Sequence, residues 1–195
     1  MSSTSDLLTR SAAAEVPVIA AVQSTVGTLP AAVPVSRAMS HFGEHALGWL
    51  AVAGVGAAAD PDRRGRWLSV GVAAFGAHAA SVVIKRVVRR PRPDDPQITV
   101  GVGTPSRLSF PSSHATGAAA GALLVGRITG LPAFTAVVPA MGISRLVLGV
   151  HYPTDVLGGV ALGTGVAVAV DRLRGRVPLL RDRGDKGRAQ AGGTR

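Results

Sequence analysis

Long uncharged stretches alternate with bursts of charge along this chain. Six stretches lack Asp, Glu, Lys and Arg, and they are residues 16–36, 45–59, 67–84, 108–126, 128–144 and 156–170. Each is 15 to 21 residues long, and most fall short of the roughly 20 apolar residues that a helix needs to cross a bilayer. Because so many occur in 195 residues, they predict an all-α membrane helical bundle of about five to six helices.

The same stretches predict how the chain is organised. Core helices are expected at 44–59, 67–88, 114–130, 131–148 and 153–170. The first stretch contains three prolines, so it predicts a helix in the membrane interface or a poor span. The predicted parts are an N-terminal interfacial segment 1–43, a helical core 44–170 and a basic flexible tail 171–195. A soluble, Ala-rich helical protein remains the alternative.

Composition adds close helix packing and an anionic partner to this picture. The chain has 25 glycines and 4% aromatic residues, which favours helices that pack backbone to backbone. Glycines four residues apart, at 117 and 121 and at 159 and 163, support that packing. The net charge of +10 indicates a nucleic acid, a lipid headgroup or a phosphate ester as partner. No cysteine is present, which excludes a disulfide scaffold and a Cys nucleophile.

The first polar cluster follows the second core helix. Residues 85–93 read KRVVRRPRP, with five cations in eight residues. If the helix continued, Lys85, Arg89 and Arg92 would share one face, but the two prolines are expected to end it. Taken alone, the cluster is typical of a membrane-edge anchor.

The second cluster, FPSSH at 110–114, precedes an apolar run. Ser112 or Ser113 is a suitable N-cap for a helix that starts near His114. Free backbone N–H groups make such a point an anion site, and His114 could reach a phosphate ester bound there. Taken alone, this is an ordinary capped helix.

The third cluster contains Ser144, Arg145, His151 and Asp155. Asp155 follows His151 by four residues, so its carboxylate could accept the proton of one ring nitrogen and leave the other free as a nucleophile. A lone His-Asp pair is more often a structural hydrogen bond.

In this order, the three clusters resemble the signature motifs of the type 2 phosphatidic acid phosphatase (PAP2) superfamily, in its integral-membrane lipid phosphatase branch. The motifs read Lys85-x6-Arg92-Pro93, Pro111-Ser112-Ser113-His114 and Ser144-Arg145-x5-His151-x3-Asp155. The resemblance covers about 42–170, and makes 44–170 a PAP2-like catalytic core. One position departs from the family pattern, because Ser113 stands where the family usually has Gly.

The resemblance implies a metal-independent phosphatase that needs no cofactor. His151 would attack phosphorus and form a phosphohistidine, His114 would protonate the leaving oxygen and then activate water, and Asp155 would orient His151. The phosphate would be held by Lys85, Arg92, Ser112, Ser113 and Arg145.

The implied substrate is a lipid phosphate monoester or diphosphate, polyprenyl-linked or built on glycerol. Small actinobacterial members of the family, which remove the 5-phosphate of decaprenylphosphoryl phosphoribose in cell-wall arabinan precursor synthesis, are similarly short and rich in Ala, Gly and Arg. That substrate is one alternative, and a soluble acid phosphatase or haloperoxidase of the superfamily is another. A nucleic-acid partner is not expected, because aromatic residues are scarce and no reading module is evident. The oligomeric state stays open.

The distribution of cations predicts an orientation in the cell membrane for this multi-pass chain. The face opposite the motifs carries 12 basic residues, against 9 on the motif face, of which three are assigned to phosphate. By the positive-inside rule, the active site is expected to be extracytoplasmic and the tail cytoplasmic.

Residues 41–45 match a second pattern, the H-x-x-E-H of inverted zinc proteases. No third ligand follows at a suitable place, and Gly43 weakens the helix that would align both histidines. We therefore interpret this segment as a polar helix entry near the active-site mouth. His78, inside an apolar run, is predicted to be packed and hydrogen-bonded.

Overall fold

The computed structural model describes residues 4–182, and the side chains from residue 12 onward. Its α-helices are α1 Thr4–Ser24, α2 Ala32–Gly43, α3 Leu47–Ala59, α4 Arg64–Val88, α5 Ser113–Thr129, α6 Ala133–Val147 and α7 Pro153–Leu173. Within the described residues there is no β-strand, and one isolated antiparallel bridge joins Pro91 to Leu108. The predicted all-α helical bundle is confirmed.

Helix α5 lies at the centre of the bundle, against α4, α6 and α7. Its alanines, and its glycines except Gly126, are buried, so neighbouring helices approach its backbone closely. A Cβ on Gly163 would overlap the Thr116 carbonyl oxygen, and one on Gly121 would overlap the Trp49 indole ring. Small residues at these contacts therefore set the spacing of the bundle.

Two helical segments, Pro61–Val88 and Pro153–Arg176, are long and apolar enough to cross a membrane. The pair Ala12–Thr28 and Ala32–Ala59 meets the same criterion together, but is bent by 109°. The 17 residues of α5 extend only about 25 Å at 1.5 Å per residue. Because its neighbours enclose it, α5 does not have to match the roughly 30 Å of hydrocarbon by itself.

Four helix ends meet at one end of the bundle. They are the C-termini of α4 and α6 and the N-termini of α5 and α7, which carry the three motifs. The N-terminal helices α1 and α2 pack against α6 beside this end. In the predicted tail, Leu180 is buried and Asp182 accepts a hydrogen bond from Arg66 Nε at 2.7 Å; residues 183–195 lie outside the described part.

Candidate active site

The basic cluster does not continue as a helix. Helix α4 ends at Val88, and Arg89 adopts a left-handed conformation with φ of 55°. As a result Arg89 is exposed, while Arg90 turns inward and is only 3% exposed. The helical face shared by Lys85, Arg89 and Arg92 therefore does not form, since the chain turns before Arg92.

Lys85 lies in the last turn of α4 with a buried ammonium group. Its Nζ donates to three carbonyl oxygens, those of Leu108 at 3.3 Å, Ser109 at 2.9 Å and Pro111 at 2.6 Å. These bonds hold the segment before α5 against α4. The ammonium borders the cavity, but it would have to exchange one carbonyl to contact a phosphate oxygen.

Arg92 connects the first motif to the third. Its Nε donates to the Ser106 carbonyl and its Nη1 to the Val150 carbonyl, both at 2.7 Å. Nη1 also lies 3.1 Å from His151 Nε2. A guanidinium only donates, so Nε2 must accept and the ring proton sits on Nδ1. This tautomer turns the Nε2 lone pair toward the side of the cavity that carries the cationic groups.

Asp155 lies beside the other ring nitrogen of His151. Its Oδ2 accepts a 2.8 Å hydrogen bond from the Tyr152 backbone N–H and lies 3.5 Å from His151 Nδ1. The second distance is longer than an ordinary hydrogen bond, so the contact is an electrostatic one. The carboxylate thus favours a proton on Nδ1, and leaves Nε2 as the nucleophilic atom.

Arg90 and Glu15 hold Asp155 in place. Arg90 Nη1 donates to Asp155 Oδ1 at 2.9 Å, and Nη2 donates to Glu15 Oε1 at 2.6 Å. The guanidinium also lies 4.1 Å from the Tyr152 ring centroid, a cation–π contact. Glu15 in turn accepts a 2.8 Å bond from the Thr154 backbone N–H. The sequence interpretation missed both residues, because no motif includes Arg90 and Glu15 lies far away on α1.

Helix α2 holds the side of the cavity that carries His114 and Arg145. His114 Nε2 lies 3.0 Å from the Ser40 carbonyl oxygen. Arg145 is 1% exposed and donates to Ser40 Oγ at 2.7 Å and to the Ser36 carbonyl at 3.0 Å. Within residues 12–182 no carboxylate pairs with Arg145. Its charge is met only by dipoles, which favours a bound anion there.

The second motif forms the start of α5, as predicted. Ser112 is the N-cap and its Oγ accepts from the Ala115 N–H at 3.4 Å. The Ser112 backbone N–H donates a 2.9 Å hydrogen bond to the Asp155 carbonyl oxygen. Ser113 Oγ lies 2.7 Å from Ser81 Oγ and borders the cavity. Of the two serines, Ser113 is the one that can meet a ligand directly.

One cavity of about 580 Å³ brings these groups together. Among the predicted site residues, its wall includes Lys85, Arg92, Ser113, His114, Arg145 and His151. Ser112 and Asp155 are fully buried behind it. A site with two imidazoles and three cations suits transfer of a phosphoryl group through a nitrogen nucleophile.

Burial sets the charge of the loop residues in this cavity. It lowers the pKa of His151 to about 3, although Asp155 opposes the shift, so the imidazole is neutral near pH 7. Burial also lowers the pKa of Arg92, to about 10, which leaves the guanidinium charged. A neutral nucleophile beside a permanent cation is the pairing that phosphate attack requires.

The zinc-protease pattern does not form its helix. Helix α2 ends at Gly43, and His45 has φ of 49°, so the two histidines do not share a helical face. Among the described residues, no group of three or more His, Cys, Asp or Glu side chains could hold a metal ion. His78 departs from its prediction, because its buried Nδ1 has no hydrogen-bond partner in the described chain.

With its three motifs gathered at one cavity, the fold defines a member of the PAP2 superfamily. The chain belongs to that family, whose sequence model matches residues 66–177. It is therefore a phosphoric ester hydrolase of the membrane lipid-phosphatase type.

Two mycobacterial phosphatases are similar to this chain over most of its length. The chain is 56% identical over 161 residues to a decaprenylphosphoryl-5-phosphoribose phosphatase of Mycobacterium tuberculosis, covering 83% of this chain and 91% of that protein. It is 59% identical over 142 residues to the Mycolicibacterium smegmatis protein of the same name, covering 73% of this chain and 79% of that protein.

A solved structure shares the fold. It is the transmembrane PAP2-type phosphatidylglycerolphosphate phosphatase of Bacillus subtilis, which superposes with a TM-score of 0.67 at 24% identity and covers 87% of this chain and 88% of that chain. At this identity the likeness supports the helical architecture.

Proposed function

We propose that the chain removes the 5-phosphate of decaprenylphosphoryl-5-phosphoribose and releases inorganic phosphate and the lipid-linked ribose. The observation that carries this proposal is the similarity to phosphatases of that name over most of the chain, joined to a cavity with the required chemistry. The cavity opens at one end of an apolar bundle, where a lipid phosphate can reach it from the membrane surface.

The first chemical step is attack by His151 Nε2 on phosphorus. Entry of the phosphate lets its oxygens take the Arg92 hydrogen bond now shared with Nε2, which frees the lone pair. The new N–P bond forms as the bond to the ribose 5-oxygen breaks. Arg92 and Arg145 stabilise the charge on the equatorial oxygens, while the Nδ1 proton stays between His151 and Asp155.

His114 supplies the proton and later removes one. In its charged form it protonates the departing 5-oxygen, which yields a sugar hydroxyl and not a poor alkoxide leaving group. Water then attacks the phosphohistidine, and the neutral His114 accepts its proton. The Ser40 carbonyl at 3.0 Å keeps the imidazole oriented through both steps.

The proposal is tested with the detergent-purified full chain and a panel of lipid phosphates. The ribosyl substrate is farnesylphosphoryl-5-phosphoribose, an analogue with a shorter polyprenyl chain. We expect phosphate release from it to exceed release from phosphatidate or phosphatidylglycerophosphate, and to persist in EDTA. Preference for a glycerolipid phosphate would overturn the substrate. Loss of activity in EDTA that magnesium restores would overturn the metal-independent mechanism.

The proposed orientation places the cavity outside the cytoplasm and the C-terminal tail inside. It rests on the excess of basic residues on the opposite face. Since the chain has no cysteine, Val100→Cys beside the cavity and Leu131→Cys at the far end give a clean labelling pair; both positions are exposed. An impermeant maleimide should label only Val100→Cys in intact cells, and the reverse pattern would overturn the orientation.

A further inference from the structure

The phosphate chemistry leaves one wall of the cavity unused. This wall comes from the turn between α2 and α3 and from the middle of α4, and its polar residues are Glu44, His45 and His78. Lys85, from the last turn of α4, lines the same cavity, as do Arg92 and Arg145 from other elements. The cavity is therefore two-sided, with cations around the phosphate end and a carboxylate with two imidazoles on the other wall.

The backbone of this wall is specialised. His45 and Ala46 both have positive φ values, 49° and 61°, which are uncommon for residues other than glycine. Ala46 is fully buried in the core cluster, while His45 borders the cavity. The left-handed pair thus seats one side chain in the core and turns the next toward the cavity. Backbone of this kind concentrates at ligand sites.

His78 is a polar residue in the middle of an apolar helix. Its ring centroid lies 5.6 Å from that of His45, with the planes tilted by 52°, so the rings touch without stacking. Its Nδ1 is buried and has no partner in the described chain. A polar group in such a helix is usually retained for a functional contact, and a ligand at this wall could supply one.

We propose that Glu44, His45 and His78 form a subsite for the hydroxyl groups of a sugar or other polyol that carries the scissile phosphate. A hydroxyl both donates and accepts; a carboxylate accepts, and a neutral imidazole offers one donor and one acceptor. The proposal rests on the proposed function, because it explains how a phosphoribose is distinguished from a plain lipid phosphate.

The test compares two substrates across matched variants. We expect Glu44→Gln and His78→Leu to lower kcat/KM on farnesylphosphoryl-5-phosphoribose by about 10-fold or more, as lost hydroxyl contacts do. On phosphatidate, which lacks these hydroxyls, the change should stay below about two-fold. Asp94→Asn is the control, since Asp94 is an exposed carboxylate outside the cavity wall. Glu44 is exposed, so its variant keeps the test usable if His78→Leu misfolds.

Deoxyribose analogues sharpen the result. For the parent enzyme, the 2-deoxy or 3-deoxy substrate should lose as much kcat/KM as Glu44→Gln loses on the full substrate, and combining the two should add little. Equal losses of kcat/KM on the ribosyl and glycerolipid substrates, or fully additive losses, would overturn the subsite but not the proposed function. A parent that cleaves phosphatidate and leaves the ribosyl substrate intact would overturn the proposed function, and the sugar subsite with it.

Discussion

The two most buried arginines of the site, Arg145 and Arg90, differ in what neutralises them. Arg145 is held by a serine hydroxyl and a carbonyl of α2, with no carboxylate partner in the described chain. Arg90 lies between two carboxylates, Glu15 and Asp155. Because a buried charge needs compensation, Arg145 is arranged to receive an anion, whereas Arg90 is already satisfied.

This difference separates residues that bind phosphate from residues that support them. The Arg145 side includes His114, and its partners are dipoles that leave charge available to a substrate. The Arg90 side stands behind His151, and its partners are charges that keep Asp155 fixed. Both sides depend on the N-terminal helices, since Glu15 belongs to α1 and Ser40 to α2.

The largest expected effect removes the nucleophile. His151→Ala should lower kcat by at least about 10⁴-fold and abolish the acid-labile phosphoenzyme, because no other group takes the place of Nε2. Asp155→Asn should keep a measurable rate, since it loses only orientation and charge. Rapid-quench labelling with ³²P-substrate measures both. A phosphoenzyme that persists in His151→Ala would assign the nucleophile elsewhere.

His114 belongs to the Arg145 side, and its loss should depend on the leaving group. His114→Ala should slow phosphorylation by the ribosyl substrate about 10²- to 10⁴-fold. With an activated aryl phosphate the leaving group needs no proton, so a burst of about one equivalent should precede slow turnover. The same change at His41 provides the control. Equal slowing with both substrates would contradict the acid role.

Much of this arrangement could be predicted from the sequence, and the omissions share a cause. The apolar runs predicted α4 to α7 within a few residues, and the resemblance to the PAP2 motifs pointed to eight site residues, six of which border the cavity. Arg90 was missed because the left-handed turn at Arg89 reverses which cation faces inward. Glu15 and Ser40 were missed because their contacts cross 75 and 74 residues, which no local pattern encodes.

Removing the charge of each arginine should distinguish the residue that binds phosphate from the residue that supports Asp155. Arg145→Gln should lower kcat/KM about 10²- to 10³-fold and leave the thermal midpoint close to that of the parent. Arg90→Gln removes the cation beside the buried Asp155 and the partly buried Glu15, so it should cost about 3–5 kcal/mol of stability. Activity assays and thermal unfolding in detergent measure the pair. Similar stability losses in both variants would erase the distinction between the two sides.

Acid should lower the stability of the folded protein through His151, which lies on the Arg90 side of the site. Burial holds the pKa of this imidazole at about 3, while in an unfolded chain it is about 6.5. Between these values the unfolded state binds a proton that the folded state excludes, so stability falls as pH drops from about 6.5 toward 3, by up to about 1.4 kcal/mol per pH unit. Relative to His151→Asn, the parent should lose more stability over this range. Parallel pH profiles would show that His151 titrates normally.

The smallest effect is expected from removing the charge of Glu15, which supports Asp155 through Arg90. Glu15→Gln keeps one oxygen, which can still accept from Arg90, but it removes the oxygen that accepts from the Thr154 N–H. Asp155 therefore stays bound to its cation, and only its alignment with His151 loosens. We expect kcat to fall about five-fold, roughly 1 kcal/mol, with KM nearly unchanged because Glu15 does not border the cavity. Single-turnover phosphorylation should slow by the same factor. If KM rose while kcat held, Glu15 would act on substrate binding, and the division between the two arginines would not extend to α1.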